Sequence, residues 1–526
     1  MSVEKAKKAP QDAHLLSTEQ PPAVPSGLLL PPLCTYPTVP TVPTDPAPTP
    51  PGPSPPLFPT PDPVLAPNPA ASTCTDLNDE PRPPRPVAID DNPAIHLPGW
   101  RRWVALFTVC WMTLPMNFAT SSILAAAPEV AAEFSIPATT ISVANAGVFL
   151  AMAASPLIWV PVARLLGRRL AYLSAACVLG LCSIGSALAP NMATFTAIWV
   201  IGGTIGVVFL VYGQTILSDL FEPTIRGTAV GFFLGTCVSG NGIAPLTGGI
   251  ISAYTSWRVI FGVQAGMTLI GLILGWFFVP HDIVAEKDQE QSEETAKRLL
   301  RVFSPLPVFR VMRHPNILLA NISCGLLAFN QYGMLSSIRP AINERFNLTT
   351  PLTSGLFYLA PGVGFVLGGT IGGRISDHTV KRYIKRRNGL RLPRDRLRSG
   401  FASMFVILPL GTLVLGWSLE QRLGGMVLPA ASAFVAGVGL MSSFSGLNTF
   451  SAEVFPQSKT EVISSKYFVQ YMFSASTIAS RMSTIQTMRT GWAFTLTAAV
   501  GLLAGVIVVF ITRYEPKTEK LLRENR

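Results

Sequence analysis

Gly235-Thr-Cys-Val-Ser-Gly-Asn-Gly-Ile-Ala-Pro245-Leu-Thr-Gly-Gly-Ile250 puts five glycines and a proline inside an apolar run long enough to cross a bilayer. In a soluble helix each glycine would cost about 1 kcal/mol relative to alanine and the proline about 3 kcal/mol. Within lipid the same residues are useful. Small residues let a neighbouring helix approach closely, and a proline frees a carbonyl that neighbours can satisfy. Pro245, Gly248 and Gly249 are therefore the candidate hinge, with a simple glycine-rich packing face as the competing reading.

The surroundings favour a membrane. Hydrophobic residues make up 49% of the 526 and charged residues only 13%, against about 25% charged in a soluble chain. The net charge of +11 would raise nucleic acid as a partner, but the basic residues cluster between apolar runs, where they act as topology signals. No nucleic-acid partner is expected. The seven cysteines show no metal-like or paired spacing, and the five histidines fall outside the apolar cores. Neither a metal nor a cofactor is expected, and no segment gathers a nucleophile, a base and oxyanion donors, so the chain does not read as an enzyme.

More than half of the prolines lie in residues 1–98, which read as a disordered cytoplasmic tail. Apolar runs follow at about 103–127, 138–160, 170–189, 194–217, 228–251 and 258–279, then at 315–338, 353–373, 399–417, 426–448, 464–486 and 492–513. Each is near the roughly 20 residues that a helix needs to span the hydrocarbon. The expected organisation is thus a bundle over 99–280, a cytoplasmic linker over 281–314, a second bundle over 315–513 and a tail over 514–526. Arg164, Arg168 and Arg169 follow the second run, and a basic loop from Arg374 to Arg398 follows the eighth. The positive-inside rule makes that side cytoplasmic, with both termini inside. Asn347-Leu-Thr349 is a glycosylation acceptor pattern on the opposite side.

The two halves echo one another. Val160-Pro-Val-Ala-Arg164-Leu-Leu-Gly167-Arg168-Arg169 and Gly373-Arg-Ile-Ser-Asp377-His378 occupy corresponding loops. Both resemble the Gly-x-Leu-Ala-Asp-Arg-x-Gly-Arg-Arg signature of the major facilitator superfamily. The first copy departs from it, with Arg164 in the aspartate place and Val160 in the first glycine place. Asp219-Leu-Phe-Glu222-Pro-Thr-Ile-Arg226-Gly227 resembles a loop of the drug:proton antiporter branch. Ala244-Pro245-Leu-Thr-Gly248-Gly249 resembles that branch's fifth-span exporter motif, with Trp257, Arg258 and Phe261 following. The resemblance implies an all-α membrane protein of two pseudo-symmetric six-helix bundles. It also implies a gating latch drawn from Gly167, Arg168, Arg169, Asp219, Arg226, Gly373 and Asp377, and a proton as the coupling ion. The second half looks most like fungal multidrug, secondary-metabolite and organic-acid exporters.

A transporter needs polar groups near the midplane. The candidates for substrate contact are Asn117, Tyr212, Gln214, Asn241, Asn330, Gln331, Tyr332, Asn448, Gln470, Tyr471 and Arg481, with interhelical hydrogen bonding as the alternative for each. Lys466 and Gln470, like Tyr467 and Tyr471, share one face of a helix at i, i+4 spacing. Arg481 is expected to snorkel to the outer surface. The sparse charge favours an amphipathic cargo such as a secondary metabolite or glycolipid, whereas Lys466 and Arg481 favour an organic acid. The resulting expectation is a monomeric exporter of a small molecule in the plasma membrane, with the vacuolar membrane as the alternative. A nutrient or organic-acid uptake symporter and a transport-inactive sensor stand as the other readings.

Overall fold

The computed structural model describes residues 98–222, 224–278, 305–346, 355–388, 392–455 and 458–513. The expected proline-rich tail, residues 281–304 of the linker, Asn347 and the C-terminal tail lie outside the described residues, as does the side chain of Arg168. Every regular element among the described residues is a helix.

The first half contains α1 (Gly99–Glu133), α2 (Ala138–Leu166), α3 (Arg168–Ala187), α4 (Met192–Leu220), α5 (Arg226–Tyr254) and α6 (Arg258–Phe278). After a short helix, Leu306–Val311, come α7 (Pro315–Phe346) and α8 (Leu359–Arg386). A 3-10 run, Pro393–Gly400, and a π-helical turn, Ser403–Ile407, lead into α9 (Leu408–Glu420). The chain then completes α10 (Val427–Val454), α11 (Lys459–Met488) and α12 (Thr490–Arg513).

Among the described residues, eleven helical segments are long and apolar enough to cross a membrane, against the twelve expected from sequence. The exception is α11. Its 30 residues give a length of about 45 Å, enough to span, but Lys459, Glu461, Lys466, Gln470 and Arg481 dilute its hydropathy. Those side chains are carried inward rather than toward lipid, because α11 packs between α7, α2, α10 and α4. Large apolar side chains such as Leu181, Trp276, Phe277, Val427 and Phe510 project outward instead.

Local chemistry sets the helix ends. Asn191 Oδ1 accepts the Thr194 N–H at 2.8 Å and caps α4. Gly167, at φ +82°, breaks α2 from α3 in a conformation that a side chain would strain. Each half forms a six-helix bundle, and the bundles meet along two seams, α5 against α8 and α2 against α11.

The α5/α8 seam explains the glycine-rich stretch. A Cβ added at Gly231 would lie 2.3 Å from the Gly369 carbonyl oxygen, and one at Gly369 would lie 2.4 Å from that of Gly231. A Cβ added at Gly242 would likewise lie 2.7 Å from the Gly362 Cα. Two backbones touch there without side chains between them. Gly248 packs instead on Ser122 of α1, within the first bundle, and α5 continues unbroken through Pro245. The closest approach between the bundles thus begins at the start of α5, outside the expected hinge residues.

Candidate translocation pathway

At the end of the bundles that carries the basic loops, Asp377 of α8 reaches the first turn of α5. Its carboxylate accepts the backbone N–H of Gly227 at 3.0 Å, and the backbone N–H and hydroxyl of Thr228 at 2.8 and 2.7 Å. The unpaired N–H groups and positive dipole end of a helix N-terminus favour such a charge. Arg396, fully buried in the 3-10 run, donates to Asp377 Oδ1 and Glu453 Oε1, each at 2.9 Å. Arg226 lies 3.7 Å from the same Glu453 oxygen. Two buried carboxylates and two buried guanidiniums therefore close this end together. Gly227 has no room for a Cβ, which would fall 2.4 Å from Asp377 Oδ1.

The other seam is closed by different pairs. Arg164, at the end of α2, donates to Glu461 on the first turn of α11. Lys459 donates to Asp219 at 3.1 Å. Of the expected latch residues, Asp219, Arg226, Gly373 and Asp377 thus sit at the junction, with Gly373 packed on the Gly227 carbonyl. Arg169 does not take part: it donates to the Trp276 carbonyl and lies over the Trp276 ring, inside the first bundle. Gly167 serves the α2/α3 break.

Between the bundles lies a cavity of about 30 Å³, room for about two waters. Its walls include Asn117, Asn241, Gln331, Tyr332, Asn448, Gln470 and Tyr471 from the expected set, with Tyr467, Phe444 and Met441. Phe149 of α2 stacks edge-on against Tyr332 at 4.8 Å and meets Tyr471 at 5.9 Å, so aromatic rings join the bundles above it. Asn117 donates to the Cys237 carbonyl, and Asn241 accepts from Ser121 at 2.8 Å. The buried Gln331 Oε1 has no hydrogen-bond partner among the described residues. Beyond the basic-side wall, Lys466 is fully buried and donates to Gln214 Oε1 at 3.0 Å and to Asn448 Oδ1. Tyr467 donates to the same Gln214 oxygen at 3.2 Å, and Gln214 Nε2 donates to the Asn448 carbonyl at 2.8 Å.

Three expected contact residues point elsewhere. Asn330 donates to the Thr497 carbonyl of α12 at 3.0 Å, and Tyr212 donates to the Trp159 carbonyl of α2 at 3.1 Å. Arg481 does not snorkel. It is 4% exposed and donates to Ser337, the Ala493 carbonyl and Thr497, acceptors that make burial cheaper than reaching the surface. Sequence reasoning does not single out Arg396, Glu461, Lys459 or Phe149. The first three read as loop or end charges, and a phenylalanine in an apolar run carries no signal.

A family model described as Major Facilitator Superfamily matches residues 109–480. The efflux pump radE of Floropilus chiversii is 24% identical over 455 residues, covering 82% of this chain and 84% of that protein. The MFS-type efflux pump MFS2 of Trichophyton rubrum is 24% identical over 422 residues, covering 76% and 70%. The MFS transporter fsa7 of a Fusarium species is 26% identical over 395 residues, covering 70% and 76%. Among solved structures, the proton:xylose symporter XylE superposes with a TM-score of 0.59 at 15% identity, over 78% of this chain and 96% of its own. The human organic anion transporter MFSD10 gives 0.57 at 15%, over 78% and 100%. These two likenesses concern the fold. With its helical bundles, its interfacial cavity and a family match over most of its length, the chain belongs to the major facilitator superfamily of multi-pass membrane transporters.

Proposed function

We propose that this transporter exports a small amphipathic metabolite or drug across the plasma membrane by alternating access. In this reading α11 is also a span and brings the number to twelve, both termini are cytoplasmic, and the basic end faces the cytoplasm. The observation that carries it is the polar and aromatic cavity between bundles whose basic ends are held together by ion pairs. Contacts of that kind must break for cargo to enter and reform for it to leave on the other side. The similarity to efflux pumps supports the outward direction, and the drug:proton antiporter resemblance supports a proton as the counter-ion. Asp219, Arg226, Gly373 and Asp377 act as the gate, with Gly167, Arg168 and Arg169 at its margin. Asn117, Asn241, Gln331, Tyr332, Asn448, Gln470 and Tyr471 form the cargo walls. Pro245, Gly248 and Gly249 let α5 adjust as the bundles rock.

Efflux measured in cells with and without the chain, at two external pH values, tests this reading. Faster loss of cargo from cells carrying the protein, increasing with external acidity, is the expected result. Net uptake would overturn the direction, and pH-independent efflux would overturn the coupling. Pro245→Ala and Gly249→Leu should slow efflux while the protein remains in the membrane.

A further inference from the structure

The buried charges divide unevenly between the gate and the cavity. At the gate, Arg226 and Arg396 meet Asp377 and Glu453, Arg387 meets Asp395, and Arg164 meets Glu461. Lys466 differs: its ammonium donates to the neutral oxygens of Gln214 and Asn448 and lies 3.5 Å from the centre of the Tyr467 ring. No carboxylate among the described residues lines the adjoining cavity. A charge taken out of water without a counter-ion is costly, and an arriving anion would relieve that cost.

The two acceptors of Lys466 also differ in origin. Asn448 is in the same bundle, whereas Gln214 belongs to α4 of the other. The bond to Gln214 therefore exists only while the basic ends meet. When they part, one ammonium N–H loses its acceptor on the side then open. We propose that Lys466 seats the anionic head group of the cargo in that open state, and that Gln214 Oε1 displaces it as the bundles close. The proposal rests on the alternating-access exporter reading and adds the charge class of its cargo, an organic anion with an apolar body. Phe149, Tyr332, Tyr467 and Tyr471 supply apolar faces for that body, and the unpartnered Gln331 Oε1 supplies an acceptor for a cargo hydroxyl or amide. A cationic cargo would meet the Lys466 charge with no acid to offset it. Arg481 cannot fill this role, because its partners all lie in its own bundle and do not change when the bundles part.

The test uses the purified full-length protein and three probes that share one apolar body: phenylbutyrate, phenylbutyramide and phenylbutylamine. Affinity is read from ligand-induced thermal stabilisation, which does not depend on transport direction. Phenylbutyrate should bind about tenfold more tightly than the amide, the effect expected of one charge-assisted hydrogen bond, and the amine most weakly. Lys466→Met should erase the preference for the acid while leaving amide binding within about twofold, and Lys466→Arg should restore it. Gln214→Met should keep or tighten acid binding while slowing its turnover in proteoliposomes, because the competitor is gone. Equal binding of the three probes, preference for the amine, binding of none, or loss of acid binding in Gln214→Met would overturn the assignment. Probe movement inward in proteoliposomes with the acid preference intact would overturn the export reading alone.

Discussion

The two seams between the bundles use opposite materials. Along α5 and α8 the contact is backbone on backbone: α5 holds seven glycines and α8 six, and the seam ends with Asp377 seated on bare N–H groups. Along α2 and α11 there is one glycine in α2 and none in α11, so side chains fill the space. There the closing pair is Arg164 and Glu461, with the charges transposed relative to the other half. Where the superfamily signature has aspartate, this chain has arginine, and an acid on the first turn of α11 answers it. The glycine seam fixes how closely the bundles approach. The side-chain seam carries Phe149, Tyr467, Gln470, Tyr471 and the amino group of Lys466 at or beside the cavity between the bundles.

The sharpest way to break this comparison is at Asp377. Asp377→Asn removes one of the two carboxylates that offset Arg396 in a buried cluster, a change worth about 3–5 kcal/mol where one partner of a buried pair is lost. Amide hydrogen exchange over the start of α5 should then accelerate by about two orders of magnitude or more. Unchanged protection of Gly227 and Thr228 would mean that the glycine contacts alone close the gate.

The glycine contacts come next. Gly231→Ala drives a Cβ against the Gly369 carbonyl, where backbone and not a flexible side chain must yield, at a cost of about 1–3 kcal/mol. Gly147→Ala, in α2 but turned toward Val200 of α4 inside the first bundle, meets only a methyl at 3.8 Å and should cost less than about 0.5 kcal/mol. A thermal loss no larger for Gly231→Ala than for Gly147→Ala would mean that the α5 and α8 backbones are not held at contact.

At the side-chain seam the effect should be smaller, because the Arg164 side chain is 30% exposed and screened by solvent. Arg164→Asp restores the signature residue yet faces Glu461, so it should weaken closure by about 1 kcal/mol. Arg164→Glu combined with Glu461→Arg should recover most of that loss. Failure of the double variant, measured by the same exchange experiment on α11, would show that Arg164 acts through its packing rather than its charge.

How much of this was legible beforehand follows from the kind of signal each seam leaves. Apolar runs and basic loops mark spans and sidedness, and glycine spacing marks where backbones touch, so the fold, and close helix packing somewhere along α5, could be read from residues 235–250 outward. The partners of those glycines could not, because Gly362 and Gly369 lie more than a hundred residues away and only tertiary packing pairs them with Gly242 and Gly231. Polarity placed Asn117, Asn241 and Gln331 in spans, but not which way they face. Asn330 and Gln331 are adjacent, yet one bonds α12 and the other lines the cavity. The helix count was affected by the same ambiguity, since the polar residues that weaken α11 as an apolar span are those it turns toward the interior.

An ion pair that does not cross a seam supplies the smallest effect and the control for the rest. Glu133, at the far end of α1, bonds Arg258 at 2.7 Å and the Trp257 indole N–H, both at the start of α6 in the same bundle. Burial alone would raise its carboxyl, but the hydrogen bonds from Arg258 and Trp257 and the Arg258 charge hold it below the usual 4.5. A carboxyl depressed on folding contributes stability that is present above its unfolded value and is lost as pH falls through the folded one. The Glu133 side chain is 43% exposed, so the contribution is small. Wild type should melt slightly above Glu133→Gln at pH 6, and the two curves should converge as pH falls through the lowered folded value. Exchange at the first turns of α5 and α11 should be the same in both proteins, since neither gate uses this pair. A gap in melting temperature that widened toward acid would reverse the sign of the linkage. A change in gate exchange would mean that contacts inside one bundle set the rocking equilibrium, and the division between seam and bundle would fail.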